Sequence, residues 1–339
     1  MMHKKLSIQS RNGLMETIAL VDEILLFQIS QDQKKELYYL DKHLKIVNKI
    51  TIPVGISMEF SYLIDQYIFS RDFYTAKPLF YDLKNKSFKL FSSFNFDFDT
   101  SSGGYKSFYP ISESVDIFSP FKSGLYDFLV DELKWITDIS SNLYFFEKFL
   151  IGFIGRTILR YHLDTGQILW RFDVSEIDKE LEVSRLVGIW NGILVAGIGE
   201  DYMIGINTEN GELVWKRKAI PDFDIIDQSL GVLHSLTSGY VKTDIRTGKT
   251  LDIFDKKEYF EEEIGIESQR NNYVLVGDHI ITSDWKKGKL GAFNTITHRF
   301  DWIHEEPGVS FPAGQAMKYF DPYLFVMDSK EVLHIFRKE

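Results

Sequence analysis

The chain has 339 residues, of which 44% are hydrophobic and 26% charged, a composition that suits a globular protein with a sizeable core. Its 39 Lys and Arg stand against 49 Asp and Glu, and the resulting net charge of -10 disfavours binding to nucleic-acid phosphates. Cysteine is absent, which excludes disulfides, cysteine zinc sites and thiol nucleophiles.

The amino-terminal segment reads as a short strand. Residues 4–10 alternate in polarity and lack the run of roughly 7 to 15 apolar residues that a signal peptide requires. No stretch reaches the roughly 18 apolar residues of a transmembrane helix. We therefore expect a cytoplasmic protein without membrane association.

Several apolar runs along the chain predict buried strands. Their apolarity is continuous rather than alternating, which indicates cover on both faces. The aromatic share of 15% also favours strands, because aromatic side chains fit a pleated surface. The clearest runs are residues 23–28, 65–70, 191–197 and 278–283.

A repeated hairpin unit follows these runs. An Asp or Asn anchor is followed by a turn residue four positions later and by a large residue eight positions later, as at Asn207, Gly211 and Trp215. The anchors are residues 41, 82, 127, 162, 207, 244 and 294, where 162 is His. The turn positions are Lys45, Lys86, Asp131, Gly166, Gly211, Gly248 and His298. The large positions are Lys49, Leu90, Trp135, Trp170, Trp215, Asp252 and Trp302, with the unit at Asp41 the weakest.

The anchors recur about every 42 residues, the period of a four-stranded propeller blade. We predict an all-β fold: a single β-propeller domain of four-stranded antiparallel blades over residues 1–339. An eighth anchor is expected near residue 336, and the strand at 4–10 would complete that blade by pairing the N- and C-terminal strands, which removes an exposed edge. The count favours eight blades. Seven stays open if residues 95–140 form an irregular insertion.

The turns at residues 207–215 and 244–248 resemble PQQ-like repeats of the quinoprotein alcohol dehydrogenase-like superfamily. The resemblance implies that Trp135, Trp170, Trp215 and Trp302 pack between adjacent blades. The dehydrogenases of this superfamily hold their quinone over a Cys pair and calcium, so a chain without cysteine resembles the cofactor-free branch. PQQ is therefore not expected as a cofactor.

No catalytic, cofactor-binding or metal-binding residue is predicted. Residues 97–103 begin like a calcium loop, but Ser102 and Phe108 stand where an EF-hand needs Gly and Glu. The eight His are scattered, and residues 197–199 lack the third Gly of a dinucleotide loop. A Ser-His-Asp site assembled across the fold stays open.

An acidic run with two aromatic residues is the candidate partner-binding segment. It consists of Glu258, Tyr259, Phe260, Glu261, Glu262 and Glu263. An exposed aromatic anchor ringed by carboxylates would suit a basic protein partner, although a solvated loop explains the run as well. The aromatic-rich residues 91–109 form a second candidate surface, with core packing as its alternative.

The leading hypothesis is a non-enzymatic protein-binding scaffold that neutralises a basic partner, an immunity-type protein in its narrowest form. The alternative is an enzyme or carbohydrate-binding propeller with its site in the central funnel. Clustered carboxylates or histidines with perturbed pKa values would favour that alternative.

Overall fold

The structure is a computed structural model. The residues that it describes are 2–9, 17–19, 24–29, 35–52, 59–64, 67–71, 78–90, 97–98, 108–113, 122–128, 130–137, 139, 142–146, 148–200, 202–218, 224–236, 239–266, 268–284, 286–311, 317–330 and 332–339.

Strands dominate these residues. The first strands are β1 (Met2–Gln9), β2 (Thr17–Ala19), β3 (Ile24–Ile29), β4 (Lys35–Leu40), β5 (Ile46–Thr51), β6 (Glu59–Ile64), β7 (Tyr67–Arg71), β8 (Pro78–Asp82), β9 (Ser87–Leu90), β10 (Asp97–Phe98), β11 (Phe108–Glu113), β12 (Lys122–Asp127) and β13 (Glu132–Thr137). The next are β14 (Asn142–Phe146), β15 (Phe149–Ile154), β16 (Thr157–Tyr161), β17 (Ile168–Asp173), β18 (Val183–Trp190), β19 (Ile193–Ile198), β20 (Tyr202–Asn207) and β21 (Leu213–Lys218).

The carboxy-terminal third continues the pattern. Its strands are β22 (Asp224–Asp227), β23 (Val232–Leu236), β24 (Tyr240–Asp244), β25 (Thr250–Phe254), β26 (Ser268–Val276), β27 (His279–Asp284), β28 (Lys289–Asn294), β29 (Arg299–Glu305), β30 (Lys318–Phe320), β31 (Tyr323–Met327) and β32 (Val332–Lys338). The described helical structure consists of a 3-10 turn at Val174–Glu176 and a π-helical turn at Tyr259–Ile264, which is preceded by two α-helical residues, Lys257 and Glu258. No helix among the described residues is long and apolar enough to span a membrane.

The described strands form eight four-stranded antiparallel sheets. Seven consist of four consecutive strands, from β2–β5 to β26–β29, and the eighth has the order β1-β32-β31-β30. β1 pairs with β32 from Met2 opposite Lys338 to Gln9 opposite Val332. The number of blades and the closure of a ring stay predictions.

The chain divides into two compact units. The first unit comprises Met1–Thr51 and Arg217–Glu339, and the second comprises Ile52–Lys216. The first unit holds the β2–β5, β22–β25 and β26–β29 sheets and the β1-β32-β31-β30 sheet, and the other four sheets lie essentially in the second. The single domain over residues 1–339 stays a prediction.

Middle strands whose burial the structure describes are covered on both faces. In β19, β23 and β31 nearly every residue is buried, whereas β29, the last strand of its sheet, alternates between exposed and half-buried positions. Continuous apolar runs therefore correspond to covered strands, and alternation corresponds to a sheet edge that faces solvent.

The predicted turn positions have the left-handed backbone that ends each hairpin. Positive φ angles occur at six of the seven, Lys86, Asp131, Gly166, Gly211, Gly248 and His298. The prediction is wrong by one residue in the unit at Asp41, where Leu44 (φ 63°) rather than Lys45 has the positive φ. The reason is a tighter turn: Leu44 N donates to Asp41 O, and Asp41 N donates to Lys45 O, one residue sooner than in the other hairpins.

The anchor side chains hold the turns by accepting backbone hydrogen bonds. Asp244 Oδ1 accepts from Thr247 N at 2.8 Å, and Asn207 Oδ1 accepts from Glu209 N at 2.8 Å. Asp and Asn are favoured in turns for this reason. In the β1-β32-β31-β30 sheet the equivalent position is Arg337, which lies opposite Tyr323 as the anchor Asn294 lies opposite His279. This is one residue from the expected anchor near 336.

Candidate functional site

In the second unit, tryptophans join neighbouring sheets. The indole Nε1 of Trp170, on β17, donates to the backbone oxygen of Thr208 in the next sheet at 2.8 Å. The ring lies so close to Gly211 that a Cβ atom there would be 2.8 Å from it. Trp135 repeats the arrangement with Leu163 O at 2.8 Å and with Gly166. For these two residues the expected packing between adjacent sheets is confirmed.

The first unit contains a polar version of this junction. Asp252 stands at the tryptophan position of β25, and its Oδ2 lies 2.8 Å from Nε2 of His298, the turn residue of the next sheet. The two side chains are 37% and 23% exposed. The His298 ring also lies 5.7 Å from the ring of Tyr240. An ionisable pair therefore replaces a tryptophan–glycine contact.

A groove opens beside Trp302, at the junction of the β26–β29 sheet with the β1-β32-β31-β30 sheet. Its volume is about 290 Å³. Apolar side chains form most of its lining: Trp302, Ala292, Ile281, Val276 and Met2. Recesses that combine apolar walls with a few placed polar groups are the usual ligand-binding surfaces of proteins. This groove is the candidate functional site.

Polar groups line the rim of the groove. His279 Nε2 lies 2.9 Å from Asp301 Oδ2, and Asn294 Nδ2 donates to the same oxygen at 2.8 Å. These hydrogen bonds, from Asn294 first and then His279, hold the pKa of Asp301 below its usual value. The side chain of Asp301 is 48% exposed. The rim therefore presents an ionised carboxylate, with Lys338 as a further charged lining residue.

A cluster of two histidines and two carboxylates lies elsewhere in the first unit. His334 Nε2 is 2.8 Å from Asp328 Oδ2, and Glu306 Oε2 is 3.2 Å from His304 Nε2. His334 and Asp328 are both buried, and Phe311 packs its ring edge against His334. Among the described residues no group of three such side chains could hold a metal ion. The buried pair satisfies its own polar groups, as buried polar residues generally must.

The predicted partner-binding segment folds differently from the expected exposed loop. Tyr259–Ile264 is a π-helical turn that ends at Gly265, whose φ is 72°. Phe260 is fully buried, with its ring 5.2 Å from Phe293 and 5.6 Å from Phe300. The half-buried Tyr259 accepts a hydrogen bond from Phe300 N at 3.1 Å. The prediction of an exposed anchor at Phe260 is wrong, because the turn directs the ring into the core.

The carboxylates of this segment remain at the surface. Glu258, Glu262 and Glu263 are exposed, and the half-buried Glu261 pairs with Lys257 at 3.6 Å. Their role in binding a partner stays a prediction. Of the second predicted surface, residues 91–109, the structure describes only 97–98 and 108–109, and the remainder lies outside the described residues.

Sequence reasoning missed the Trp302 groove. Trp302 was identified from its spacing, but the groove depends on its cross-strand partner Ala292 and on Met2, which comes from the other end of the chain. The available signal in the sequence was a small residue, Ala292. It stands opposite Trp302, whereas Arg160 holds the equivalent position opposite Trp170.

Comparisons with known proteins identify the fold. No protein-family model matches the chain, and no curated protein matches it in sequence. The structure is similar to BamB from Moraxella catarrhalis, with a TM-score of 0.60, 12% identity and coverage of 100% of both chains. It is also similar to Sqt1 from Saccharomyces cerevisiae, with a TM-score of 0.62, 11% identity and coverage of 94% of this chain and 93% of that one. Both are β-propeller proteins.

The fold is a β-propeller. The predicted all-β class and the four-stranded antiparallel sheets are thereby confirmed. At 11–12% identity the likeness shows the fold alone, and function has to be argued from the site.

Proposed function

We propose that this propeller is a non-enzymatic scaffold that binds a basic protein partner. The observation that carries the proposal is the Trp302 groove, an apolar recess of about 290 Å³ bordered by the ionised carboxylate of Asp301. Aromatic surface beside a charged rim is typical of protein-binding hot spots. The net charge of -10 favours a partner of opposite sign.

The enzyme alternative has less support among the described residues. The histidines and carboxylates that lie together there are hydrogen-bonded to one another, and one such pair, His334 with Asp328, is buried. A catalytic group has to reach its substrate. The groove contains one such pair, His279 with Asp301, and its described lining residues include no Ser, Thr or Tyr hydroxyl.

The finer predictions belong to the same proposal. We infer that the sheets are PQQ-like repeats of the cofactor-free branch, on the strength of the units at Asn207 and Asp244. An eight-bladed closed ring, an immunity-type role and a cytoplasmic location remain predictions, the last to be tested by fractionation of native cells.

The test is affinity purification of the tagged chain from its native host, with the Ala292→Leu variant beside it. We expect one stoichiometric protein with a basic isoelectric point, whose binding weakens at least tenfold between low and high salt. The variant fills the groove and should lose most of this partner. Absence of any stoichiometric partner would overturn the proposal.

A second comparison tests the acidic segment separately. Replacing Glu258, Glu262 and Glu263 with Lys reverses three exposed charges there. The matched control makes the same change at three other exposed carboxylates, Glu132, Asp164 and Glu200. If the acidic segment contributes, the first triple variant loses more of the partner than the control. Equal losses would leave only a general effect of net charge.

A further inference from the structure

The last strand of a sheet leaves one side of its backbone without a neighbouring strand. In the seven sheets of four consecutive strands this position belongs to β5, β9, β13, β17, β21, β25 and β29. Among the described residues, most of the exposed large apolar side chains lie on these strands: Ile46, Val47, Leu133, Ile136, Leu169, Leu213, Val214, Leu251, Ile253 and Ile303. Unpaired edges attract other strands, and proteins commonly protect them with charged residues, especially Lys. An edge without such protection is a candidate surface for strand addition.

β25 is the least protected of these last strands. The other six each contain Lys or Arg, namely Lys49, Lys89, Lys134, Arg171, Lys216 and Arg299. β25 contains neither, and its Leu251 and Ile253 are 55% and 60% exposed. The register shift in β25 does not set it apart, because β13, β17 and β29 have one as well. The edge of β25 therefore combines exposed apolar side chains with the lack of a protecting cation.

The single charged residue of β25 is already paired inside the protein. Asp252 Oδ2 lies 2.8 Å from Nε2 of His298 in the next sheet, and Asp252 Oδ1 accepts a hydrogen bond from Ile253 N at 2.8 Å. A charge on an edge strand blocks strand addition because pairing would bury it without a partner. The contact with His298 removes that obstacle at Asp252.

The segment around β25 is acidic. Residues 250–263 contain six carboxylates and two lysines. The two lysines contact side chains of the same segment, Glu261 at 3.6 Å and the Phe254 ring at 5.6 Å. Asp255, directly after the strand, is exposed. A second copy of β25 would bring like charges to this edge, whereas a basic strand would bring opposite ones, and opposite charges across two strands are the stabilising case.

We propose that β25 accepts an extended basic segment of the partner protein as an additional antiparallel strand of its sheet. Apolar side chains at alternate positions of that segment would pack on Leu251 and Ile253, and a Lys or Arg at the next alternate position would pair with Asp255. Main-chain hydrogen bonds supply the affinity in strand addition, and alternate side chains supply the specificity. The inference rests on the proposed function and names a binding element of the same basic partner.

The probe is the peptide acetyl-Lys-Thr-Val-Thr-Ile-Thr-amide. In antiparallel register it places Lys, Val and Ile opposite Asp255, Ile253 and Leu251. Binding is followed by NMR of the backbone amide signals of the folded full chain. We expect saturable shifts of the β25 signals at millimolar peptide, whereas the signals of the other last strands stay in place.

Two N-methylated peptides test whether the main chain pairs. One has N-methyl groups on Val and Ile, and the other has them on the two internal Thr residues. Alternate N–H groups of a strand point to opposite sides, so only one set faces β25. One of the two peptides should therefore bind about tenfold more weakly than the other. Equal binding of both would overturn the proposed strand addition.

Protein variants and a charge-reversed peptide supply the controls. Ile253→Lys gives β25 the cation that the other last strands have, and it should abolish the shifts. Val214→Lys makes the same kind of change on β21, where Val214 is 45% exposed, and should leave them unchanged. Thermal melting of both variants confirms that they are folded. A peptide with Glu in place of Lys should bind about threefold more weakly, and equal binding would reject the basic segment.

Sedimentation of the full chain alone tests a second copy as the occupant. We expect the same monomeric species for the wild type and for Ile253→Lys. A wild-type dimer that the substitution abolishes would overturn the proposal, because β25 would then pair with itself.

The outcomes also separate this inference from the proposed function. A stoichiometric basic partner that copurifies equally with the wild type and with Ile253→Lys would keep the binding scaffold and reject β25 as its strand acceptor. Specific peptide binding at β25 without any cellular partner would keep the strand acceptor and reject the scaffold role.

Discussion

Trp170 and Trp302 occupy the same position of the repeat, but their surroundings differ. Trp170 is sealed by a glycine turn and by Arg160, and it is buried at 8% exposure. Trp302 faces Ala292 and a groove of about 290 Å³. The two junctions differ in the cross-strand partner of the ring, Arg160 or Ala292, and in the neighbouring strands, which are consecutive beside Trp170 and come from separate parts of the sequence beside Trp302. The difference teaches that the same position of a repeat can be sealed in one sheet and border a groove in another.

The largest expected effect comes from disturbing the sealed junction. Gly211→Ala places a Cβ atom 2.8 Å from the Trp170 ring at a residue with φ of 77°. Strain in the left-handed region and overpacking together should cost about 3 kcal/mol of unfolding free energy. Urea denaturation of the purified chain measures this loss.

Gly155→Ala is the matched control in the same unit. Its φ is 52°, and an added Cβ would meet only a Glu182 oxygen at 3.9 Å. It should cost only the backbone strain, about 1 kcal/mol. If both variants lost the same stability, the glycine against Trp170 would not seal the junction, and the contrast with Trp302 would fail.

The next effect concerns a buried histidine close to the polar junction of the first unit. His234, on β23, is buried, and its Nδ1 is 2.9 Å from the hydroxyl of Tyr240. Among the described residues its Nε2 has no hydrogen-bond partner. Burial lowers the pKa of His234 to about 4. Below the ordinary pKa of 6.5 the unfolded chain therefore binds a proton that the folded chain does not.

Stability should accordingly fall as the pH drops from about 6.5 to 4, by about 2 to 3 kcal/mol from this residue. The His234→Gln variant should lose less stability over that window than the wild type, in denaturation series at each pH. The control is the same substitution at an exposed histidine, His43→Gln, measured in the same denaturation series. A wild-type profile as flat as that of His234→Gln would contradict a neutral, buried His234.

Much of the fold could be predicted because the repeat encodes it locally. Six positions were placed correctly as turn residues, including Lys86 and Asp131, although neither is Gly. The unit at Asp41 was misplaced by one residue because a shorter turn leaves no mark in the spacing. The spacing also does not reveal the polar contact made by Asp252, which stands eight residues after its anchor. Asp252 pairs with His298 of the next sheet, 46 residues away in sequence.

The candidate site could not be predicted for related reasons. Phe260 lies in a charged run, and charge alone suggested exposure, whereas contacts with β28 and β29 bury the ring. The Trp302 groove combines residues from both ends of the chain, Met2 and Lys338. Local periodicity identifies Trp302 as the large residue of its repeat. Only the register of β28 against β29 shows that the small Ala292 stands opposite its ring.

The smallest effect is a gain in stability from filling the groove. Ala292→Leu gives the Trp302 junction the aliphatic side chain that Leu125 supplies opposite Trp135. Burial of the added carbon atoms in existing space should raise the unfolding free energy by about 0.5 to 1 kcal/mol. The control is Ala196→Leu, in the fully buried core of the second unit, where overpacking should instead cost about 1 to 3 kcal/mol. Opposite signs for the two identical substitutions would show that the Trp302 junction contains usable space, whereas destabilisation by both would mean that the groove is too tight to admit a larger side chain.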